Sequence, residues 1–310
     1  MPYCRPLCLL ILSVFSFPVI AQENDSLLTG SHPVMSPHDS LSIFSLIDSL
    51  LQLAPPGSQL VVRLGYNSNV LSAGRTLGIE NFGLAPGISY YHSSGAYADV
   101  SGFWSRDFDP AYYLTTVSVG YMHDFSEKFS FMAGYDRYFY QAAKDQYIPY
   151  ANTLSVTPVL EFKPVTLIMN YAFYFGDSYA HRIQPGITFT LGKRQWLGLD
   201  RIAFTPGFYA LFGTEIFTEI RYPDTLREII RRIRMNLPWY EQTDRKVFGL
   251  MNYLFTAPLS ITFRKWSFNV TYNYSIPKAL PGETLTFAES SYLSGSLSYF
   301  ISLKRDKLSL

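Results

Sequence analysis

From Trp266 to Ser275 the chain alternates strictly: Trp266, Phe268, Val270, Tyr272 and Tyr274 are large and apolar or aromatic, while Ser267, Asn269, Thr271, Asn273 and Ser275 are small and polar. A β-strand points successive side chains to opposite faces, so this segment has one greasy face and one wet face. The same rhythm recurs over residues 60–71, 82–93, 95–106, 112–123, 128–140, 152–163, 165–175, 180–191, 199–212, 247–263, 266–276 and 291–303. That gives about 12 strands, an even number, as single-chain barrels of this kind have. With the greasy face on lipid and the wet face on a lumen, the pattern predicts an all-β fold, a transmembrane antiparallel up-and-down β-barrel.

The connections carry a second rhythm. Links after the even strands are short: Ser93-Ser94-Gly95, Asp124 to Glu127, Phe162-Lys163-Pro164, Gly192 to Leu197 and Arg264-Lys265. Links after the odd strands are mostly longer, the longest running from Gly213 to Lys246. Short turns on one side and long loops on the other predict periplasmic turns, extracellular loops and both termini in the periplasm. Rings gather near strand ends, with Tyr112, Tyr113 and Tyr121 in the fourth strand and Phe129, Phe131, Tyr138, Phe139 and Tyr140 in the fifth. Such girdles mark membrane interfaces. A soluble lipocalin-like barrel is the alternative, but it places large apolar residues inside and charges outside. Lysines are scarce along these strands.

Ahead of the strands, Arg5 precedes an apolar stretch from Leu7 to Ile20, then Ala21 and the acidic Glu23-Asn24-Asp25. This is a secretory signal peptide spanning residues 1–21, too short to cross a bilayer as a helix. Cys4 and Cys8 leave with it, so the mature chain has no disulfide, thiol nucleophile or Cys-ligated metal. Residues 22–58 form a periplasmic leader. Within it Leu41, Phe44, Ile47 and Leu51 have helical spacing from Asp39 to Leu53, and Pro55-Pro56-Gly57 ends the element. That helix (39–53) offers a face for a periplasmic partner; the alternative is an unstructured linker. Residues 59–310 are the barrel.

Charged residues make up 16% of the chain and aromatics 17%, against about 25% charged in globular domains. A net charge of +1 removes any global electrostatic case for nucleic acid. Taken with these features, the chain resembles the outer-membrane β-barrel proteins of Gram-negative bacteria, and the signal ending Ile20-Ala21-Gln22 resembles those of Bacteroidota envelope proteins. The resemblance runs from about Gln59 to Leu303, is architectural, and singles out no subfamily. It implies contact with outer-membrane lipids, lipopolysaccharide and the outer-membrane insertion machinery. Such barrels often finish on an aromatic residue read by that machinery, whereas Phe300 is followed here by ten residues ending Leu308-Ser309-Leu310.

Assigning each strand's apolar parity to lipid leaves a lumen of small hydroxyl and amide side chains. These include Ser101, Thr153, Ser155, Thr157, Asn170, Gln184, Thr188, Ser260, Asn269 and Asn273. A barrel of about 12 strands lies between the filled eight-stranded type and open porins. The charged residues Arg63, Asp99, Asp136, Glu161, Arg182, Arg201 and Arg264 are candidate lumen and selectivity residues. Arg63, Asp99, Glu161, Arg201 and Arg264 fall near periplasmic strand ends, as a selectivity ring or as mutually neutralising pairs that brace the wall.

The sharpest local feature is Asp224 to Met235. Thr225 and Glu228 fit a capping box. Leu226, Ile229, Ile230, Ile233 and Leu237 form an apolar face with Arg227, Arg231 and Arg234 opposing it. Arginine's planar donor fork suits phosphate. The helix is a candidate anion site, for lipopolysaccharide or for a solute at the mouth, or else a lid with solvated charges.

Catalytic signals are sparse. His181, near Asp177 and Ser178 at an outer rim, is the histidine in reach of a lipid-modifying role. No HExxH, phosphate-binding Gly loop or paired-cysteine site occurs. No cofactor or metal is implied. The functions left are a narrow, porin-like transport channel for small polar or anionic solutes, an outer-membrane anchor for lipopolysaccharide or envelope proteins, and a lipid-modifying barrel.

Overall fold

A computed structural model describes residues 57–68, 83–106, 109–141, 150–235, 237–239, 241–281, 283 and 287–303. The signal peptide and the leader helix expected at 39–53 lie outside them.

In chain order the strands are β1 (Gln59–Asn67), β2 (Gly83–Tyr91), β3 (Ala96–Trp104), β4 (Tyr112–Ser126), β5 (Phe129–Tyr140), β6 (Asn152–Phe162), β7 (Val165–Phe175), β8 (Tyr179–Phe189), β9 (Leu191–Trp196), β10 (Leu199–Phe204) and β11 (Gly207–Arg221). Helix α1 (Leu226–Arg234) follows, then β12 (Glu241–Phe263), β13 (Trp266–Pro277) and β14 (Ser290–Ser302). All pairings are antiparallel. They run from β11 through β8 and down to β1, then through β14 and β13 to β12, which pairs back with β11 and closes the wall. β9 continues β8 past Thr190, and β10 continues into β11 past Thr205-Pro206. Fourteen segments therefore make twelve staves, a closed 12-strand barrel. Closure pairs every edge within the wall, which hydrocarbon requires. The folded protein is therefore expected to migrate differently on unheated and heated detergent gels; a single unshifted band would contradict a closed barrel.

The alternation read from the sequence is the wall's inside-out pattern. Leu64, Ile88, Val100, Leu154, Phe268 and Leu297 face outward and are exposed. Inward-facing Ser89, Thr157 and Ser275 are 0% exposed, and Asn170, Asn269 and Asn273 are buried beside them. Such an inversion suits lipid outside and polar groups within.

Two segments extend beyond the sequence reading. The link expected from Gly192 to Leu197 is mostly strand β9, and the turn is Leu197-Gly198, both at positive φ (53° and 79°). Two such residues define the tight turn whose twist matches a hairpin. The loop expected from Gly213 to Lys246 is largely a ribbon: β11 runs on to Arg221 and β12 starts at Glu241, in register from Ile216↔Lys246 to Arg221↔Glu241. β8 follows β11 only to Gly213↔Arg182, and β13 follows β12 only to Asn252↔Pro277. No neighbouring strand pairs with the ribbon, which carries α1 at its tip.

Two inward tyrosines lie flat on glycines. Tyr97 on β3 covers Gly120 and Gly134, where an added Cβ would meet its ring or hydroxyl at 2.5 and 2.8 Å. Tyr209 covers Gly186 in the same way, at 2.2 Å. Only a residue without a side chain leaves room for a ring so close to the wall.

Candidate functional site

The interior is layered. At the short-turn end Val61, Tyr91 and Phe300 cluster with Tyr97 and Met122, and Met132 packs on Tyr97, Met122 and Ile168. At the long-loop end Phe103, Leu114 and Tyr138 form one cluster, Tyr150, Ala172, Tyr174 and Ala180 a second, and Leu211, Val247, Met251 and Leu280 a third. Between these apolar layers lies a polar belt. The lining is thus less uniformly hydroxyl and amide than parity alone implied.

The belt's best-defined feature is built across β1, β2 and β3. Arg63 on β1 reaches over Gly87 on β2, where a Cβ would sit 3.0 Å from its Nη2 and 2.7 Å from Ser101 Oγ. Arg63 Nη2 donates to Asp99 Oδ2 (3.2 Å) and to Ser101 Oγ (2.8 Å). Asp99 also accepts from Ser89 Oγ at 2.5 Å and from Ser101 Oγ at 2.7 Å. A carboxylate taking three donors is fixed in place. Ser89 was not legible from sequence, because Pro86-Gly87 interrupts the alternation of β2.

The remaining candidates are spread around the wall. Asp136 is buried on β5, bonded by Ser118 of β4. Arg182 is buried on β8 with its guanidinium 4.8 Å from the centre of the Tyr174 ring. Glu161 is half-buried at the short-turn end of β6. Arg201 is half-buried on β10, opposite Thr262 and Arg194. Arg264 does not line the lumen: it is exposed in the β12–β13 turn, over the outward Phe263 ring at 5.2 Å, with its backbone N–H donating to Asp200. The structure joins Arg63 with Asp99 as a bracing pair, and of the seven candidates it sets three cations (Arg63, Arg182, Arg201) and three anions (Asp99, Asp136, Glu161) on the inward face.

Helix α1 forms where the capping residues place it. Thr225 is the N-cap and its hydroxyl accepts from the Glu228 N–H at 3.4 Å. Glu228 itself pairs with Arg232 (3.4 Å), whose Nη1 donates to the Pro238 carbonyl (3.0 Å). The apolar stripe does not dock on the barrel: no residue of α1 is buried, and Leu226 and Ile233 are 72% and 59% exposed. At 3.6 residues per turn, Arg227, Arg231 and Arg234 lie roughly 100° round from that stripe, flanking it where the sequence reading set them opposite. Together with Ile230 and Met235 they line a cleft of about 410 Å³.

His181 faces outward. Its Nδ1 contacts the Tyr171 hydroxyl (2.9 Å), and its ring packs on Phe173 and Tyr179. This is an aromatic cluster on the outward face at the long-loop end of the wall. Among the described residues no group of three His, Cys, Asp or Glu side chains is placed to hold a metal ion.

Neither a scan of protein families nor a search of curated proteins finds a match. Among solved structures the chain is similar to the KdgM porin, with TM-score 0.43 and 11% identity over 78% of this chain and 98% of that one. It is also similar to the NanC porin (0.38, 12%, 79% and 100%) and to LpxR from Salmonella typhimurium (0.38, 10%, 78% and 100%).

Proposed function

We propose that the chain spans the outer membrane of a Gram-negative cell, with its short turns in the periplasm and its long loops outside, and acts as a narrow channel for small polar solutes. The observation that carries this reading is the polar belt. Arg63 Nη1, Thr116 Oγ1 and Asn269 Nδ2 are buried and make no hydrogen bond within the protein. Such groups hold hydrogen-bonding capacity that the wall itself does not use, and with the inward hydroxyls and amides of Ser89, Thr157, Asn170 and Asn273 they suit the belt to polar rather than apolar solutes. The apolar layers above and below make the path narrow.

Among the candidate lumen residues, three inward cations against three inward anions argue for weak ion preference. In planar bilayers the purified protein is expected to give small conductance steps with similar cation and anion permeability. Absence of steps from protein that shows the folded gel shift would remove the channel reading and leave the barrel as an anchor.

A further inference from the structure

We propose that α1, carried on the β11–β12 ribbon, binds the phosphorylated saccharide of outer-leaflet lipopolysaccharide above the level of its lipid headgroup. The inference rests on the orientation given above and is independent of conductance.

The height of α1 above the wall favours this ligand. Lys246 Nζ lies 3.3 Å from the centre of the Tyr179 ring and donates to the Tyr179 carbonyl (3.4 Å). Tyr179 is exposed at the long-loop end of the outward wall. A lysine folded over an aromatic ring there marks the edge of the hydrocarbon, where amphipathic side chains settle. From Ile216↔Lys246 the ribbon continues to Arg221↔Glu241, about 17 Å of strand at 3.3 Å per residue. At a barrel tilt near 45° this lifts α1 about 12 Å above the headgroup plane. The exposed stripe of α1 therefore cannot be covered by acyl chains.

The charge of α1 favours it as well. Arg227, Arg231 and Arg234 have no salt-bridge partner among the described residues, and the neighbouring Glu228 is engaged by Arg232. Three guanidinium groups on one cleft provide paired donors for phosphate oxygens. The exposed Leu226, Ile233 and Trp239 supply flat apolar surface against sugar rings. Phosphorylated sugars above a membrane present both kinds of surface at this height.

The test compares the wild type with Arg227→Gln/Arg231→Gln/Arg234→Gln, both confirmed folded by the heat-dependent gel shift. Binding is measured to lipopolysaccharide with a phosphorylated core, to lipid A lacking core, and to inorganic phosphate. The wild type is expected to prefer the core-bearing form at least roughly tenfold, and the variant to lose roughly tenfold or more for that form alone, with the difference shrinking as salt screens it. Unchanged affinity in the variant overturns the proposal. So does an equal loss for lipid A, which places the contact at the headgroup, or wild-type binding of inorganic phosphate as tight as of the core, which makes it a soluble-anion site. A single Arg231→Cys variant, labelled on intact cells with an impermeant maleimide, tests orientation separately. Labelling only after disruption overturns both the orientation and this proposal, whereas surface labelling without arginine-dependent binding overturns the proposal alone.

Discussion

Asp99→Ala is expected to destabilise the barrel by about 3 kcal/mol, because it leaves the Arg63 charge inside the wall without its carboxylate. Arg63 and Asp99 side chains are 17% and 8% exposed, so solvent offers little compensation. Asp99→Asn keeps an oxygen for the Ser89 and Ser101 hydroxyls and should cost less, about 1–2 kcal/mol. Replacing both members with apolar residues of similar size, Arg63→Met with Asp99→Leu, should recover most of the loss. Urea unfolding in lipid vesicles, followed by tryptophan fluorescence, gives all three values. An Asp99→Ala midpoint equal to wild type would mean the pair is decorative.

The second large effect separates the two faces of one strand. Leu297 on β14 faces outward beside Leu64 and Phe268, and Ser296 faces inward beside Asn269. Leu297→Arg places a charge against lipid and should cost about 2–4 kcal/mol near the bilayer midplane. Ser296→Arg should cost less and shift reversal potentials towards anions, since a lumen charge acts on permeating ions. Equal destabilisation by the two neighbours would show that the outward face does not meet hydrocarbon.

What was legible in the sequence was the two-faced alternation of the wall. Trp266 to Ser275 alternates because its apolar residues face outward and its polar ones inward, so both the strand and its parity can be read directly. The ribbon escaped for the same reason. In Thr214-Glu215-Ile216-Phe217-Thr218-Glu219-Ile220-Arg221 one parity reads Thr, Ile, Thr, Ile and the other Glu, Phe, Glu, Arg, so neither side is uniformly apolar and hydrophobicity alone does not mark a strand. β9 escaped likewise, since Lys193 and Arg194 look like a turn when hydrophobicity is the guide.

At the candidate site, the charged residues were visible but their partnerships were not. Arg63 and Asp99 are 36 positions apart, and the contact depends on Gly87 standing between them, which no spacing rule encodes. For α1 the cap and the helix were local and therefore readable. Whether its apolar stripe meets the rim depends on the ribbon's length, which is not local.

The seating of Tyr97 on Gly120 and Gly134 has a consequence for how the strands find their alignment. Facing alone fixes the offset between two strands only modulo two, because a slip of two residues keeps greasy side chains on lipid and polar ones within. Such a slip of β3 along β4 would bring Ser118 or Met122 under the Tyr97 ring in place of Gly120. A comparable slip of β5 would bring Met132 or Asp136 in place of Gly134. The ring has no room over any of these, so one tyrosine and two glycines act as a vernier, rejecting the alignments that the coarse inside-outside pattern accepts.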